Sequence, residues 1–442
     1  MSIQKKTRTF RAFPFRKAFI IPIALIACLS YGGLAFPQKA KPEKQSTRKD
    51  VRELKSLVTD LQLRMEEQNE VIQQLQRERE SGRKVEAPVS GHEGHAGHDA
   101  DLKSDDGFSD KFKLRLGNDH EIDVSAVLDF TFFSTDNKDD SRRSKFDLRE
   151  IEIGFQGQVT DTARVDLFLT KPVEEEFEIE EGFLTLELGR GFKVKAGKYR
   201  LEFGKLNTVH ETARPSVNLP LPLLNFLGDD QLNDTGVTVG HLIPNPWEHE
   251  IGLSVTLSNG DNETSFDGAS TDPLISARLY DLMPVGQSSD FEIGLNVATG
   301  ENGTGASNRT TLGLLDLTYR FNSDYKPNYD YPARFMWQTE AIASKRETVT
   351  GDVDSFGAYT LLDYQFIPAW HLGFRYDYSE TPESTQSEEA FSTILTWYYT
   401  KHSKFRLQYE YYESQLGEPE NRIWLQSVII LGRHEHPKFL KK

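Results

Sequence analysis

Between Glu121 and Leu431 the chain carries about sixteen short segments in which every second residue is apolar or aromatic. Arg334-Phe335-Met336-Trp337-Gln338-Thr339-Glu340 and Phe405-Arg406-Leu407-Gln408-Tyr409-Glu410-Tyr411 show the pattern. A period of two means a strand with one greasy face and one wet face. An even count of such strands in an exported chain points to an all-β fold, a transmembrane antiparallel barrel whose wet face is the lumen.

The segments run over 121–134, 145–159, 161–170, 176–188, 192–199, 232–243, 247–258, 272–282, 289–298, 308–321, 332–346, 354–366, 368–378, 387–400, 403–413 and 420–431. Lengths near ten suit tilted strands crossing a bilayer. Residues 111–117 offer one further short strand, so the barrel domain spans 111–442. Tight connections such as Thr160-Asp161, Asn245-Pro246 and Pro368-Ala369 alternate with longer ones rich in Gly, Asp, Asn, Ser and Thr. Short turns at one end and longer loops at the other are the habit of outer-membrane barrels. Hydrophobic residues make up 37% of the 442 positions. A barrel with a wet lumen needs only a thin apolar skin, although a soluble β-protein would give the same figure.

Residues 1–35 read as a signal peptide. Lys5, Lys6, Arg8, Arg11, Arg16 and Lys17 form a positive region, Ala18 to Leu29 an apolar core, and Gly33-Leu34-Ala35 a small-residue cleavage site. The alternatives are an uncleaved anchor, or lipidation at Cys28 within Leu25-Ile26-Ala27-Cys28. Cys28 is the single cysteine, so the chain forms no internal disulfide. The formal net charge of −16 argues against nucleic acid as a partner, because phosphate binding needs a basic surface.

Residues 36–48 are a Lys/Pro/Gln-rich linker of disordered composition. Over 49–80, Val51, Leu54, Val58, Leu61, Met65, Gln68, Ile72 and Leu75 alternate spacings of three and four, the seam of an α-helical coiled coil. Such a coil would join a homotrimer; a lone helix lying on the barrel or the cell wall is the other reading. Residues 81–110 form a flexible polar linker holding His92, His95 and His98 among glycines and acids. That set could wrap a weakly bound zinc or copper ion, or be a plain spacer. No cofactor is required by anything else in the chain.

The longest connection, 200–231, contains Pro215, Pro220, Pro222 and the apolar run Leu219 to Leu227. A loop this long and apolar should pack rather than float. Folding it into the lumen would narrow the channel and make His210, Glu211 and Arg214 a pore constriction; packing it between protomers is the alternative.

Here the sequence resembles a known family. Gly197-Lys198-Tyr199-Arg200-Leu201-Glu202-Phe203-Gly204 is similar to the GKF-x-x-x-FG segment of the phosphate-selective porin O and P family. Leu148-Arg149-Glu150-Ile151-Glu152-Ile153-Gly154-Phe155-Gln156-Gly157 resembles its R-x-x-E-x-G-F-x-G strand, and Glu178 to Leu184 the acidic strand that follows. Asn225 to Gly236 looks like a stretch of related outer-membrane proteins, some linked with zinc uptake, and the coil resembles the extension of trimeric dicarboxylate porins. The resemblance implies a channel in the outer membrane of a Gram-negative bacterium, with a periplasmic N-terminal extension and contact with peptidoglycan.

One departure matters. Phosphate-selective members carry a ladder of cations, whereas the inward faces expected here are mixed. Glu150, Glu152, Glu178, Glu180, Asp166, Glu340, Asp363, Asp377 and Glu410 sit among Arg164, Lys193, Lys195, Arg334, Arg375 and Arg406. The assignment rests on which alternate residues are apolar, and a slip of one would invert it. Opposed charges across a lumen select by arrangement, not phosphate by default.

No Gly-x-Ser-x-Gly, His-Glu-x-x-His, P-loop or CxxC is present, so no enzyme is expected. Adjacent acids such as Glu180-Glu181 should face opposite ways on a strand. The expected function is passive diffusion of small ions or solutes, with divalent metal ions a refinement. A non-conducting structural barrel and an exported metal-binding protein are the alternatives.

Overall fold

The computed structural model describes residues 112–116, 120–172, 177–262, 264–321, 334–384, 386–400, 403–434 and 439–440. The signal peptide, Cys28, the coiled coil and His92, His95 and His98 lie outside the described residues. The strands are β1 (Lys113–Leu116), β2 (His120–Thr135), β3 (Lys145–Thr160), β4 (Ala163–Pro172), β5 (Glu178–Gly189), β6 (Phe192–Arg200), β7 (Asn233–Ile243), β8 (Glu250–Ser258) and β9 (Leu274–Val285). Then follow β10 (Ser289–Glu301), β11 (Arg309–Phe321), β12 (Phe335–Arg346), β13 (Val353–Ile367), β14 (Trp370–Glu380), β15 (Ser387–Tyr398), β16 (Lys404–Ser414) and β17 (Glu420–Gly432). A short helix, α1 (Leu221–Leu227), sits between β6 and β7.

Each strand from β2 to β17 pairs antiparallel with the next, and β17 returns to β2 with Leu425 opposite Phe132. Sixteen strands therefore close a ring, and β1 adds only a small hairpin to β2. Closure leaves the ring no free edge, as a bilayer demands.

Burial runs inside out. On β8, Leu253, Val255 and Leu257 are exposed while Ser254, Thr256 and Ser258 are buried; Leu257 keeps 52% of its surface and Thr256 2%. The same holds on β10, where Leu295 and Val297 are exposed and Glu292 and Asn296 buried. A soluble sandwich would show the reverse, so the apolar face is built for lipid. Aromatic clusters mark both ends of the wall. Trp370, Trp397, Tyr399 and Phe405 stack at the short-turn end. Phe130, Phe132, Phe133, Phe146 and Trp424 do so at the long-loop end.

Residues 201–232 run along the inward face of the ring. Leu206 N–H donates to Glu340 of β12 (2.9 Å), Gly204 N–H to Asn296 of β10 (2.9 Å) and Val217 N–H to Gln408 of β16 (2.8 Å). The apolar run that α1 carries finds apolar partners there. Leu219, Leu223, Phe226 and Leu227 form one buried cluster with Leu312 and Leu314 of β11, Ile342 of β12, Tyr359 and Leu361 of β13 and Ile394 of β15. These wall residues interrupt the wet face where the segment needs a dry shelf. Two glycines make the approach possible. A Cβ on Gly357 would lie 2.7 Å from the Pro222 Cβ, and Gly204, at φ +74°, would place one 2.4 Å from Glu340 Oε2.

Beyond β17 the chain turns inward as well. Phe439 and Leu440 are buried against Tyr280 of β9, whose hydroxyl donates to the Leu440 carbonyl at 3.0 Å.

Candidate functional site

The lumen holds the chemistry, and its charges fall into three groups, each tied to the inturned segment. The first group lies where β3 and β5 each carry a bulge. Asp129 pairs with Glu150 and Phe130 with Leu148, leaving Arg149 as an extra residue. Phe168 pairs with Glu181 and Leu169 with Ile179, leaving Glu180 extra. The other register shifts lie beside hairpin turns. A bulge re-aims a side chain that strict alternation would send the other way. Arg149 thereby reaches inward to Asp129 and to the Val217 carbonyl (2.9 Å). Glu180 and Glu181 both reach the interior, which corrects the expectation that they face apart. Glu180 accepts from Arg200 Nη2 at 2.7 Å, and Glu181 faces His210 Nε2 at 2.9 Å.

His210 is 2% exposed, with Glu152 and Glu180 oxygens 3.6 Å from its Nδ1. Burial opposes a charge on this imidazole. The Glu180 and Glu181 carboxylates, the hydrogen bond to Glu181 and the nearby Glu152 carboxylate outweigh it, so the pKa stands well above its ordinary value. Burial likewise works to raise the Glu211 carboxyl, but Arg149, Arg214 and Arg200 hold it below the usual range. Arg214 is pushed down to about 10, by burial first and by Arg200 and Arg149, against the pull of Glu211.

The second group is centred on Arg278 of β9. Its Nη2 donates to Asp316 (2.9 Å) and Glu292 (3.1 Å), and its Nη1 to the Gly204 carbonyl. Lys205 of the segment joins Glu292, and Glu340 takes Lys205 N–H at 3.2 Å. The third group is centred on Arg375 of β14, only 1% exposed. It donates to Asp377 (3.0 Å), to Glu410 (3.2 Å) and to the Asn218 carbonyl (2.9 Å). Arg406, further along β16, donates to the Arg214 carbonyl at 2.7 Å.

Of the residues expected to line the lumen, Glu150, Glu152, Glu180, Asp166, Lys195, Glu340, Asp363, Arg375, Asp377, Arg406 and Glu410 lie on its inner side, whereas Glu178, the first residue of β5, is exposed. Arg164 pairs with Asp166 at 2.8 Å, and Lys193 with Glu187 at 2.7 Å near the β5–β6 turn. Arg334 departs from the expectation: it precedes β12 and is exposed, because the alternating letters start at 332, three residues before the strand does. Asp129, Arg278, Glu292, Asp316 and Lys404 are buried on the same inner side, where period-two parity alone would place them. Arg149 and His434 carried no such signal, since one sits in a bulge and the other beyond the last strand. Among the described residues, twelve carboxylates and eight Lys or Arg side chains are buried, so the interior carries a surplus of acid.

No family model matches the chain. One curated relative, an uncharacterized protein of Aquifex aeolicus, is 24% identical over 376 residues, 71% of this chain and 79% of that one. Among solved structures, the anion-selective porin of Comamonas acidovorans superposes with a TM-score of 0.52 at 10% identity, covering 71% of this chain and all of that one. OmpT of Vibrio cholerae in its trimer form gives 0.50 at 11% identity over 71% of this chain and all of that one. The chain thus shares the fold of outer-membrane porins.

Proposed function

We propose, from that fold, that the protein is an outer-membrane channel for small ions or solutes, with residues 201–232 limiting passage. One observation carries the reading: a closed ring wears its apolar residues outward and its charges inward. Inward side chains are buried against one another and against the segment, so conduction calls for the segment to shift. The acid surplus favours cations over anions, and divalent ions above all, rather than phosphate. A homotrimer with a periplasmic N-terminal extension is the assembly proposed, in keeping with the trimer form of its structural neighbour.

The packed interior favours a second reading, a barrel that braces the envelope and does not conduct. Planar-bilayer recording of the full chain beside a variant with residues 208–228 replaced by a short Gly/Ser link separates the two. Discrete current steps, larger in the shortened variant and cation-selective, are expected. An absence of steps from both proteins would refute the channel and leave the brace.

A further inference from the structure

We propose that Glu152, Glu180 and His210 hold a divalent transition-metal ion of the zinc class, with His434 held against the second oxygen of Glu152. One ligand atom from each of the first three residues lies within 4.8 Å of the others. The Glu152 side chain is 1% exposed, yet neither of its oxygens has a hydrogen-bond partner, and Glu180 Oε2 has none either. Taking a carboxylate out of water costs several kcal/mol unless something replaces the lost solvation. Around Glu152 the available groups are two imidazoles. His210 Nδ1 lies 3.6 Å from one oxygen and His434 Nε2 lies 3.6 Å from the other.

The spacing is informative. A tetrahedral zinc with bonds of about 2.0–2.1 Å sets its ligand atoms roughly 3.3 Å apart. The 3.6 Å separations of His210 Nδ1 from Glu152 and Glu180 are that edge within a few tenths of an ångström, and too long for good hydrogen bonds. Each imidazole is also held from behind. His210 Nε2 meets Glu181 at 2.9 Å, and His434 Nδ1 meets the Ser125 hydroxyl at 3.0 Å. A hydrogen bond on the far nitrogen is what fixes the tautomer and aim of a metal-binding histidine. Phe168 packs beside both rings, at 5.3 Å and 5.6 Å, and walls the corner. The bulge at Glu180 completes the set, since without it Glu180 and Glu181 could not face the same histidine. Glutamate and histidine suit zinc-class ions more than calcium or magnesium. The competing arrangement is a proton on His210 that satisfies the acids with no metal present.

The inference stands whether or not the barrel conducts. Its test begins from full-length protein in which His92, His95 and His98 are alanine, so that this segment cannot bind. After chelation and dialysis against zinc chloride, one equivalent of zinc per chain is expected, and magnesium should not displace it. Glu152→Gln and Glu180→Gln, each verified as a folded barrel by heat-modified gel mobility, should bind at least tenfold more weakly. Glu181→Gln, a positioning change, should weaken binding about 10- to 100-fold. X-ray absorption should show nitrogen and oxygen neighbours at about 2.0–2.1 Å, with imidazole scattering. No stoichiometric zinc, or equal retention by Glu152→Gln, overturns the proposal.

Discussion

Replacing Glu340 by alanine removes the acceptor that holds the start of the inturned segment. Its two oxygens take Leu206 N–H (2.9 Å), Lys205 N–H (3.2 Å) and the Tyr359 hydroxyl (2.7 Å). Each buried donor left without a partner costs about 1–3 kcal/mol. Water admitted to the space would serve some of these donors, which places the total near the lower end, about 3–4 kcal/mol. The neighbouring charges stay paired, because Arg278 keeps Asp316 and Glu292, and Lys205 keeps Glu292. The cost therefore falls on the segment's hold more than on the ring, whose ladder is untouched. At about 1.4 kcal/mol per tenfold, the fraction of molecules with the segment displaced should rise about 100-fold or more. Limited trypsin digestion reads this directly, since Lys205, followed by Leu206, lies in the segment. Cleavage after Lys205 should speed up in proportion while the barrel keeps its folded gel mobility. Glu340→Gln, which retains one acceptor oxygen, should show roughly half the effect in free energy. Unchanged digestion and unchanged open-channel probability in the alanine variant would refute the argument.

Three further outcomes follow from the same geometry. Leu257→Arg puts a cation on the exposed apolar face of β8 and should destabilise the barrel by up to about 2–4 kcal/mol in urea titrations in lipid, whereas Thr256→Ser on the inner face should cost far less. Gly357→Val drives a side chain into Pro222 and Phe226, which lie 2.7 and 3.1 Å from the position of its Cβ, so α1 should shift and single-channel conductance should rise. Glu211 has its pKa lowered in the folded state, so its contribution is present above the ordinary carboxylate pKa of about 4.3 and is lost as pH falls through the lower folded value; faster digestion of the segment in acid, by a protease active there, should appear in the native chain and be flattened in Glu211→Gln.

Much of this architecture is visible in the sequence because period-two alternation is a local signal. Each strand's parity declares its own wet face, and sixteen segments read in this way fall within a few residues of β2 to β17. The apolar run Leu219 to Leu227 announces a segment that must be buried, yet its partners Leu312, Ile342 and Leu361 sit on strands far along the chain. Nothing local says that the wet faces of β11, β12 and β13 would carry apolar residues to receive it. Arg334 shows the opposite error: alternation in the letters begins before the strand does.

The bulges explain why the corner around His210 was harder to read than the rest of the lumen. Parity places Glu150 and Glu152 on one face of β3 and excludes Arg149; it separates Glu180 from Glu181 on β5. Inserting one extra residue into each strand breaks that rule at two places that the inturned segment then brings together. The result concentrates Arg149, Glu152, Glu180 and Glu181 around His210 and Glu211. A regular ladder would hold this wall together with less disruption, because a bulge leaves an unpaired residue in the strand. Two interruptions aimed at one corner, in a ring whose other register shifts lie at turns, are better explained by what the corner binds than by what the barrel needs to stand.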